Sequence, residues 1–227
     1  MAGSPVSSSG ATLKDGSSAE SAEITDNTSY NDGVLTWNGG QLKDEDTITI
    51  TVTKSNGDTA ESGYTIWSLE PPADVSQPAP PTPFKLRTTS ASNLPKPFLD
   101  KHLFHSLSAH LSHESNILHV LISTLSGTGL APQFFVEILE PLLGAVGLRE
   151  SDYSVVRTKS AESVKEFAQS ELLVRANEGK KQTVLMLSGD GGMVDTINGL
   201  MENGERSRYI FNFLLSASPC CLSDGKC

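Results

Sequence analysis

The sequence predicts an α/β fold, in which parallel strands alternate with helices, between Asn116 and Met201. Three uncharged runs of apolar and β-branched residues in this segment are typical of strands buried on both faces of a parallel sheet. Each run leads into a polar loop, and apolar residues at helical spacing follow each loop. The order β-α-β-α-β-α predicts three parallel strands joined by right-handed crossovers.

Residues 1–32 form a leader that precedes the first strand signal. They are rich in Ser, Gly, Thr, Ala and acidic residues and almost free of large apolar side chains, so we expect a disordered acidic leader over 1–32. Ten acidic residues and three lysines lie between Met1 and Ser62, within a chain of 227 residues and formal net charge −10. This charge argues against nucleic acid as a partner.

Residues 33–70 predict a small antiparallel β unit. Val34–Trp37 is typical of a short strand, and Thr47–Thr53 alternates strictly, which places its isoleucines and its valine on one face. The turn dipeptide Asn56-Gly57 then joins it to a partner strand at Tyr64–Trp67. The threonine face is either a docking surface or, more commonly for such a sheet, a solvated face.

Residues 71–115 predict a Pro-rich linker and a short helix that carries histidines. The prolines of 71–83 favour an extended spacer, with an SH3-type ligand as the alternative. We expect Lys85–Leu99 to continue as a loop and Asp100–His113 to form the helix. No cysteine or carboxylate completes a metal-ligand set with the histidines, so no metal site is predicted here. The histidines of this helix are His102, His105, His110 and His113.

The α/β segment opens with a strand at Ile117–Ile122. The loop Ser123–Ala131 follows, and Pro132 suits the first turn of the next helix. A strand, a glycine-containing loop and a helix amino terminus form a cradle for phosphate, because unpaired N–H groups and the helix dipole point at the anion. The loop is not a P-loop, because it lacks the lysine and the hydroxyl that follows it. Pro141 should kink or end the helix.

The second and third strands are predicted at Tyr153–Val156 and Thr183–Leu187. Ser160 is expected to cap the helix after the second strand. After the third strand, Gly189, Gly191 and Gly192 permit positive φ and the close approach of a ligand to the backbone. Asp190 lies among these glycines at the carboxyl end of the strand, where open α/β sheets bind ligands.

The motif after the third strand resembles the nucleotide-site signature of the diacylglycerol kinase catalytic-domain family. The matching residues are Ser188-Gly189-Asp190-Gly191, Met193 and Asn198-Gly199-Leu200, and the serine is most similar to the sphingosine kinase branch. Ser126-Gly127 resembles the family segment Asn-Pro-x-Ser-Gly, with Ser123-Thr124 in place of Asn-Pro. The chain departs from the family at Gly192, usually threonine, at Asp195, usually glutamate, and in lacking a lysine soon after the first loop.

The resemblance implies a three-layer, phosphofructokinase-like nucleotide-binding subdomain in an ATP-dependent lipid kinase. Such a kinase uses Mg²⁺ and transfers the γ-phosphoryl group to the hydroxyl of a sphingoid base or of diacylglycerol. Asp190 would act as general base or hold a Mg²⁺-bound water, and Asp195 would orient that chemistry; no protein metal site is assigned. The implied nucleotide-binding residues are Ser126, Gly127, Thr128, Gly129, Thr158, Ser188, Gly189, Gly191 and Gly192.

Two other functions remain open at this point. An NAD kinase shares the Gly-Asp-Gly motif, although the Ser-Gly loop favours the lipid kinases. A catalytically dead fragment that acts only by interaction is the other alternative. Residues 116–206 would form only the amino-terminal half of the kinase core, followed by an atypical tail at 207–227, so we expect a truncated chain of low activity. Its exposed edge beside Thr183–Leu187 should also make it poorly soluble, with the apolar run Ile210–Leu215 a poor replacement for the missing strands.

The same features predict where the protein lies in the cell. The apolar run of the tail is too short to span a bilayer, so no transmembrane segment is expected. No secretory signal or myristoylation site is seen at the amino terminus, and the three cysteines are confined to the end of the chain. We therefore expect a cytoplasmic protein that meets its lipid substrate peripherally, at the surface of intracellular membranes.

Overall fold

The computed structural model describes residues 21–24, 27–53, 63–70, 85–112, 114, 116–124, 129–201 and 211–216. Residues 1–20 of the predicted leader and the proline-rich residues 71–83 lie outside the described residues. The loop residues Ser126, Gly127 and Thr128 also lie outside them, so their predicted roles stay predictions.

The first half of the described chain contains two sheets. The larger sheet has the order β1-β7-β6-β5, with β1 parallel to β7 and the other pairs antiparallel. The smaller sheet, β2-β3-β4, is antiparallel throughout. The strands are β1 (Ser21–Ile24), β2 (Ser29–Asn31), β3 (Val34–Trp37), β4 (Gly40–Lys43), β5 (Thr47–Thr53), β6 (Gly63–Glu70) and β7 (Lys85–Ala91).

Ordered structure in this half begins earlier than the sequence predicts. The expectation of a disordered leader over 1–32 is wrong for β1 and β2, because β1 pairs with β7 and Ile24 is buried in the core. The expectation of a loop over Lys85–Leu99 is wrong for β7, which lies between β1 and β6. Leu86 is the one large apolar residue of β7, so this strand is stabilised by hydrogen bonds from two distant neighbours rather than by its own pattern.

The helix predicted at Asp100–His113 is displaced. The structure has α1 at Lys96–His102, with Pro97 in its first turn. The helix stops because Leu103 forms a bridge with Ile50 and the Phe104 N–H donates to the Ile50 carbonyl at 2.8 Å. Ile50 is also the one large apolar residue of β5 that is fully buried; Ile48 and Val52 are 39% and 48% exposed.

The second half is α/β, as predicted, with every strand of its sheet parallel to its neighbours. Two helices contain π-helical turns, at Phe135–Leu139 and Ala168–Leu172. Pro141 lies just after the first of them, where its missing N–H and its ring disfavour a regular α turn. The elements are β8 (Ile117–Ser123), α2 (Ala131–Phe134), α3 (Glu140–Ala145), β9 (Tyr153–Thr158), α4 (Ala161–Phe167), α5 (Leu173–Asn177), β10 (Gln182–Leu187) and α6 (Asp190–Met201).

A fourth strand completes this sheet. The strand β11 (Phe211–Ser216) lies parallel to β10, and the sheet order is β11-β10-β8-β9. The expectation that the tail at 207–227 leaves the edge of β10 uncovered is therefore wrong. The N–H and C=O groups along that edge pair with the tail, which removes the open edge that the sequence predicted there.

Helices cover both faces of the parallel sheet. Val120, Ile122 and Phe135 belong to a cluster on one face, and Leu121, Val164 and Phe167 belong to a cluster on the other. On the second face α4 and α6 cross closely: a Cβ on Gly199 would lie 3.0 Å from the Lys165 Cα. Among the helices of the described residues, none has both the length and the apolar character needed to cross a membrane.

Candidate functional site

The candidate site lies where the direction of strand addition reverses. The chain runs from β8 out to β9 and then crosses back to β10 on the other side of β8. In open α/β sheets the crevice at the carboxyl ends of two such strands is the usual place for a ligand. The loops that follow β8 and β10 both begin at this crevice.

An open pocket of about 200 Å³ occupies this position. Its walls come from the end of β8, from the start of α4 and from the start of α6. The volume suits one or two phosphate groups rather than a whole nucleotide, since sites that enclose drug-sized ligands measure about 300–1,000 Å³. The lining residues are Ser123, Lys159, Ser160, Ala161, Val164, Ser188, Gly191, Gly192 and Asp195.

The glycines after β10 act by their small size and not by unusual backbone angles. None of Gly189, Gly191 and Gly192 has positive φ, which corrects the sequence expectation; the α6 helix begins at Asp190 and includes two of them. Gly192 is buried, and a Cβ on it would lie 2.1 Å from the Ser188 Oγ. Gly189 and Gly191 have no atom within 4 Å of such a Cβ, so ligand atoms can come close to the backbone at both positions.

The two predicted catalytic carboxylates occupy different positions. Asp195 lines the pocket from the second turn of α6 and is half-buried. Asp190 is the first residue of the same helix, is exposed, and does not line the pocket. The structure therefore places one carboxylate in the pocket lining and the other outside it.

The start of α4 forms the opposite wall. Ser160 caps this helix, as predicted: its Oγ accepts a hydrogen bond from the Ser163 N–H at 3.2 Å, and the Ser160 N–H donates to the Ser163 Oγ at 3.0 Å. Lys159, next to the cap, supplies the positive charge of the pocket lining. Sequence reasoning missed Lys159 as a site residue, although its place just after a parallel strand was a usable signal.

Thr158, predicted to bind nucleotide, is directed away from the pocket. It is 2% exposed, and its Oγ1 is 3.5 Å from the Ile122 carbonyl oxygen, which it faces as donor. Its own carbonyl accepts hydrogen bonds from the N–H and the Oγ1 of Thr124, at 2.9 and 3.0 Å. These bonds fix the loop after β8 against the end of β9. Farther along that loop, Gly129 is exposed and has φ +72°, a conformation that favours glycine.

A buried polar network lies at the other end of the sheet. His119 is 2% exposed; its Nδ1 is 2.7 Å from the Ser154 Oγ and its Nε2 is 3.2 Å from the Gln182 Oε1. Burial lowers the pKa of His119, and the hydrogen bond with Gln182 offsets only part of that effect. His119 is therefore neutral in the folded protein at neutral pH.

A second network joins the small sheet to α1. The Asp44 carboxylate accepts hydrogen bonds from the Tyr30 hydroxyl at 2.6 Å and from the Lys101 ammonium at 2.5 Å, and its other oxygen is 2.8 Å from the His102 Nε2. Burial raises the pKa of Asp44, but these hydrogen bonds outweigh burial, that of Lys101 most strongly, and the pKa falls to about 2. His102 thus contacts a carboxylate that the sequence did not place beside it.

Comparison with known proteins does not identify the chain. No family model matches it, and no curated protein gives a significant match. Membership of the diacylglycerol kinase family therefore rests on the motif residues quoted above and stays a prediction.

Proposed function

We propose that this chain binds the phosphates of ATP in the pocket at the carboxyl ends of β8 and β10 and transfers a phosphoryl group to the hydroxyl of a lipid. The observation that carries the proposal is the meeting of two predicted motif segments in one pocket. Ser123, at the start of the first loop, and Ser188, at the start of the second, line the same pocket. The resemblance to sphingosine and diacylglycerol kinases supplies the acceptor class and the phosphofructokinase-like arrangement.

The pocket residues fit the phosphates of a Mg²⁺-nucleotide. Gly192 leaves room for Ser188, and the bare backbone at Gly191 lets phosphate oxygens reach N–H groups at the start of α6. Within the described residues, no group of three or more His, Cys, Asp or Glu side chains could hold a metal by itself. Mg²⁺ does not need such a group, because it commonly takes one or two carboxylates together with phosphates and waters. Asp195 would be that carboxylate, and the bound ion would neutralise phosphate charge.

The two aspartates would then have separate tasks. Asp195, inside the pocket, faces the nucleotide and orients it. Asp190, exposed at the first residue of α6, is accessible to an acceptor that arrives from outside and would accept the proton of its hydroxyl. Phosphoryl transfer depends mainly on positioning and on charge neutralisation, and this division supplies both.

The test is an assay of the full chain with Mg²⁺-ATP and each of three acceptors: sphingosine, diacylglycerol and NAD. We expect a phosphorylated lipid, with Asp190→Asn lowering turnover about 10²- to 10⁴-fold while ATP affinity stays unchanged. Asp195→Asn should instead weaken ATP binding. Phosphorylation of NAD alone would point to the NAD kinase alternative, and the absence of both ATP binding and turnover would refute the proposal.

A further inference from the structure

The pocket lining contains two charged side chains, and they lie on different walls. Lys159 follows β9 next to the cap of α4, while Asp195 lies on α6. A ligand in a pocket of this size must orient itself between these charges. An anionic group is attracted directly to the lysine, whereas beside Asp195 it needs a bound cation between itself and the carboxylate.

Among the described residues that line this pocket, Lys159 is the one cation. The sequence has no lysine or arginine from Asn116 to Leu148 or from Gln182 to Gly204, so neither the loop after β8 nor α6 can supply one. Arg157 is close along the chain, but its guanidinium lies over the Phe135 ring, 6.0 Å from the centroid. Phe135 belongs to the core on the opposite face of the sheet from α4.

The Lys159 ammonium is available to a ligand. Its backbone N–H donates to the Ser163 Oγ at 3.0 Å, which holds the residue at the pocket wall. The residue is exposed, and the ion pairs found within the described residues do not include its ammonium. The backbone therefore holds the lysine at the pocket wall, and its ammonium group is accessible to a ligand.

We infer that Lys159 is a phosphate-binding residue, which contacts the anionic group of the ligand directly from the start of α4. That the ligand is a nucleotide rests on the proposed function; the position of its anionic group does not. Lys159 thereby supplies the charge that a P-loop takes from the lysine of its own loop, which is absent here.

The experiment compares the full-length wild type with Lys159→Gln, Lys159→Arg and Lys181→Gln by titration calorimetry. The probes are Mg²⁺-ATP, inorganic pyrophosphate and adenosine. Lys181 is the matched control, because it is exposed and precedes β10 at the opposite end of the sheet. We expect Lys159→Gln to weaken ATP and pyrophosphate about tenfold, as for loss of one charge-assisted hydrogen bond, and to leave adenosine unchanged. Lys159→Arg should keep most of the affinity, and Lys181→Gln all of it.

The possible outcomes separate this inference from the proposed function. If the wild type binds ATP and Lys159→Gln binds it equally well, the inference is overturned and nucleotide binding stands. An equal loss in Lys181→Gln also overturns it, since the effect would then be one of net charge. If pyrophosphate binds through Lys159 but ATP does not bind, the inference stands and the proposed function fails. A wild type that binds neither probe overturns both.

Discussion

The contact between Ser188 and Gly192 predicts a specific dependence of stability on both positions. A Cβ on Gly192 would lie 2.1 Å from the Ser188 Oγ and 2.7 Å from the Ser188 Cβ. The hydroxyl could rotate away, but the Cβ of a residue that is 4% exposed cannot move without its backbone. Gly192→Ala should therefore force the start of α6 away from the end of β10.

The size of the effect follows from two opposing contributions. Overpacking of this kind costs about 1–3 kcal/mol, and replacing a helical glycine by alanine recovers roughly 0.5–1 kcal/mol. Gly192→Ala alone should thus lower the free energy of unfolding by about 0–2.5 kcal/mol. When Ser188→Gly is already present, the clash is absent and the same alanine should stabilise the protein. The coupling between the two positions should be about 1–3 kcal/mol.

Urea unfolding of the wild type, both single variants and the double variant measures this coupling. Gly191→Ala is the matched control, because it lies in the same turn and has no atom within 4 Å of its added Cβ. Its coupling to Ser188→Gly should be less than about 0.5 kcal/mol. If Gly192→Ala and Ser188→Gly were additive within that margin, the reasoning would be refuted. A confirmed coupling would also explain why Ser188 and Gly192 occur together in this chain.

Three further predictions follow from the packing and the polar networks. Gly199→Ala should lower the free energy of unfolding by about 0–2.5 kcal/mol, because its Cβ would lie 3.0 Å from the Lys165 Cα and the gain in helix propensity offsets only part of that clash. A higher urea midpoint than that of the wild type would contradict the close crossing of α4 and α6. The pKa of His119 is lowered in the folded protein, so on acidification the unfolded state binds the proton first. Stability should therefore fall as pH drops below about 6.5, by at most about 1.4 kcal/mol per pH unit. The variant His119→Gln should lose this part of the pH profile. Identical profiles would exclude that role for His119. Asp44→Asn should lower the free energy of unfolding by about 1–3 kcal/mol at pH 7. The greater stability of the wild type should disappear as pH falls from about 4 through the folded pKa of about 2. If the wild type stayed more stable below pH 2, the hydrogen-bond network would not be the cause.

Much of the candidate site could be predicted from sequence, because its residues follow strands with strong local patterns. Ser188, Gly191, Gly192 and Asp195 were expected at one crevice, and the structure brings them together in the pocket. Thr158 shares the strand end but is buried, because its side chain is directed at a neighbouring strand that no local pattern identifies. Lys159 lines the pocket because α4 packs beside α6, and this packing is visible only in the tertiary structure.

The sequence by itself determined the buried strands and the helix cap of the α/β half. Continuous apolar runs specify β8 and β10, and Ser160 satisfies backbone N–H groups only a few residues away, so these features depend on local chemistry. Only the tertiary structure decided that β1, β7 and β11 are strands. Each lacks a decisive pattern of its own or was set aside as leader, loop or tail, and each is held by hydrogen bonds to strands distant in the chain. Such pairing depends on which edges the rest of the fold leaves open, which the composition of a segment does not reveal.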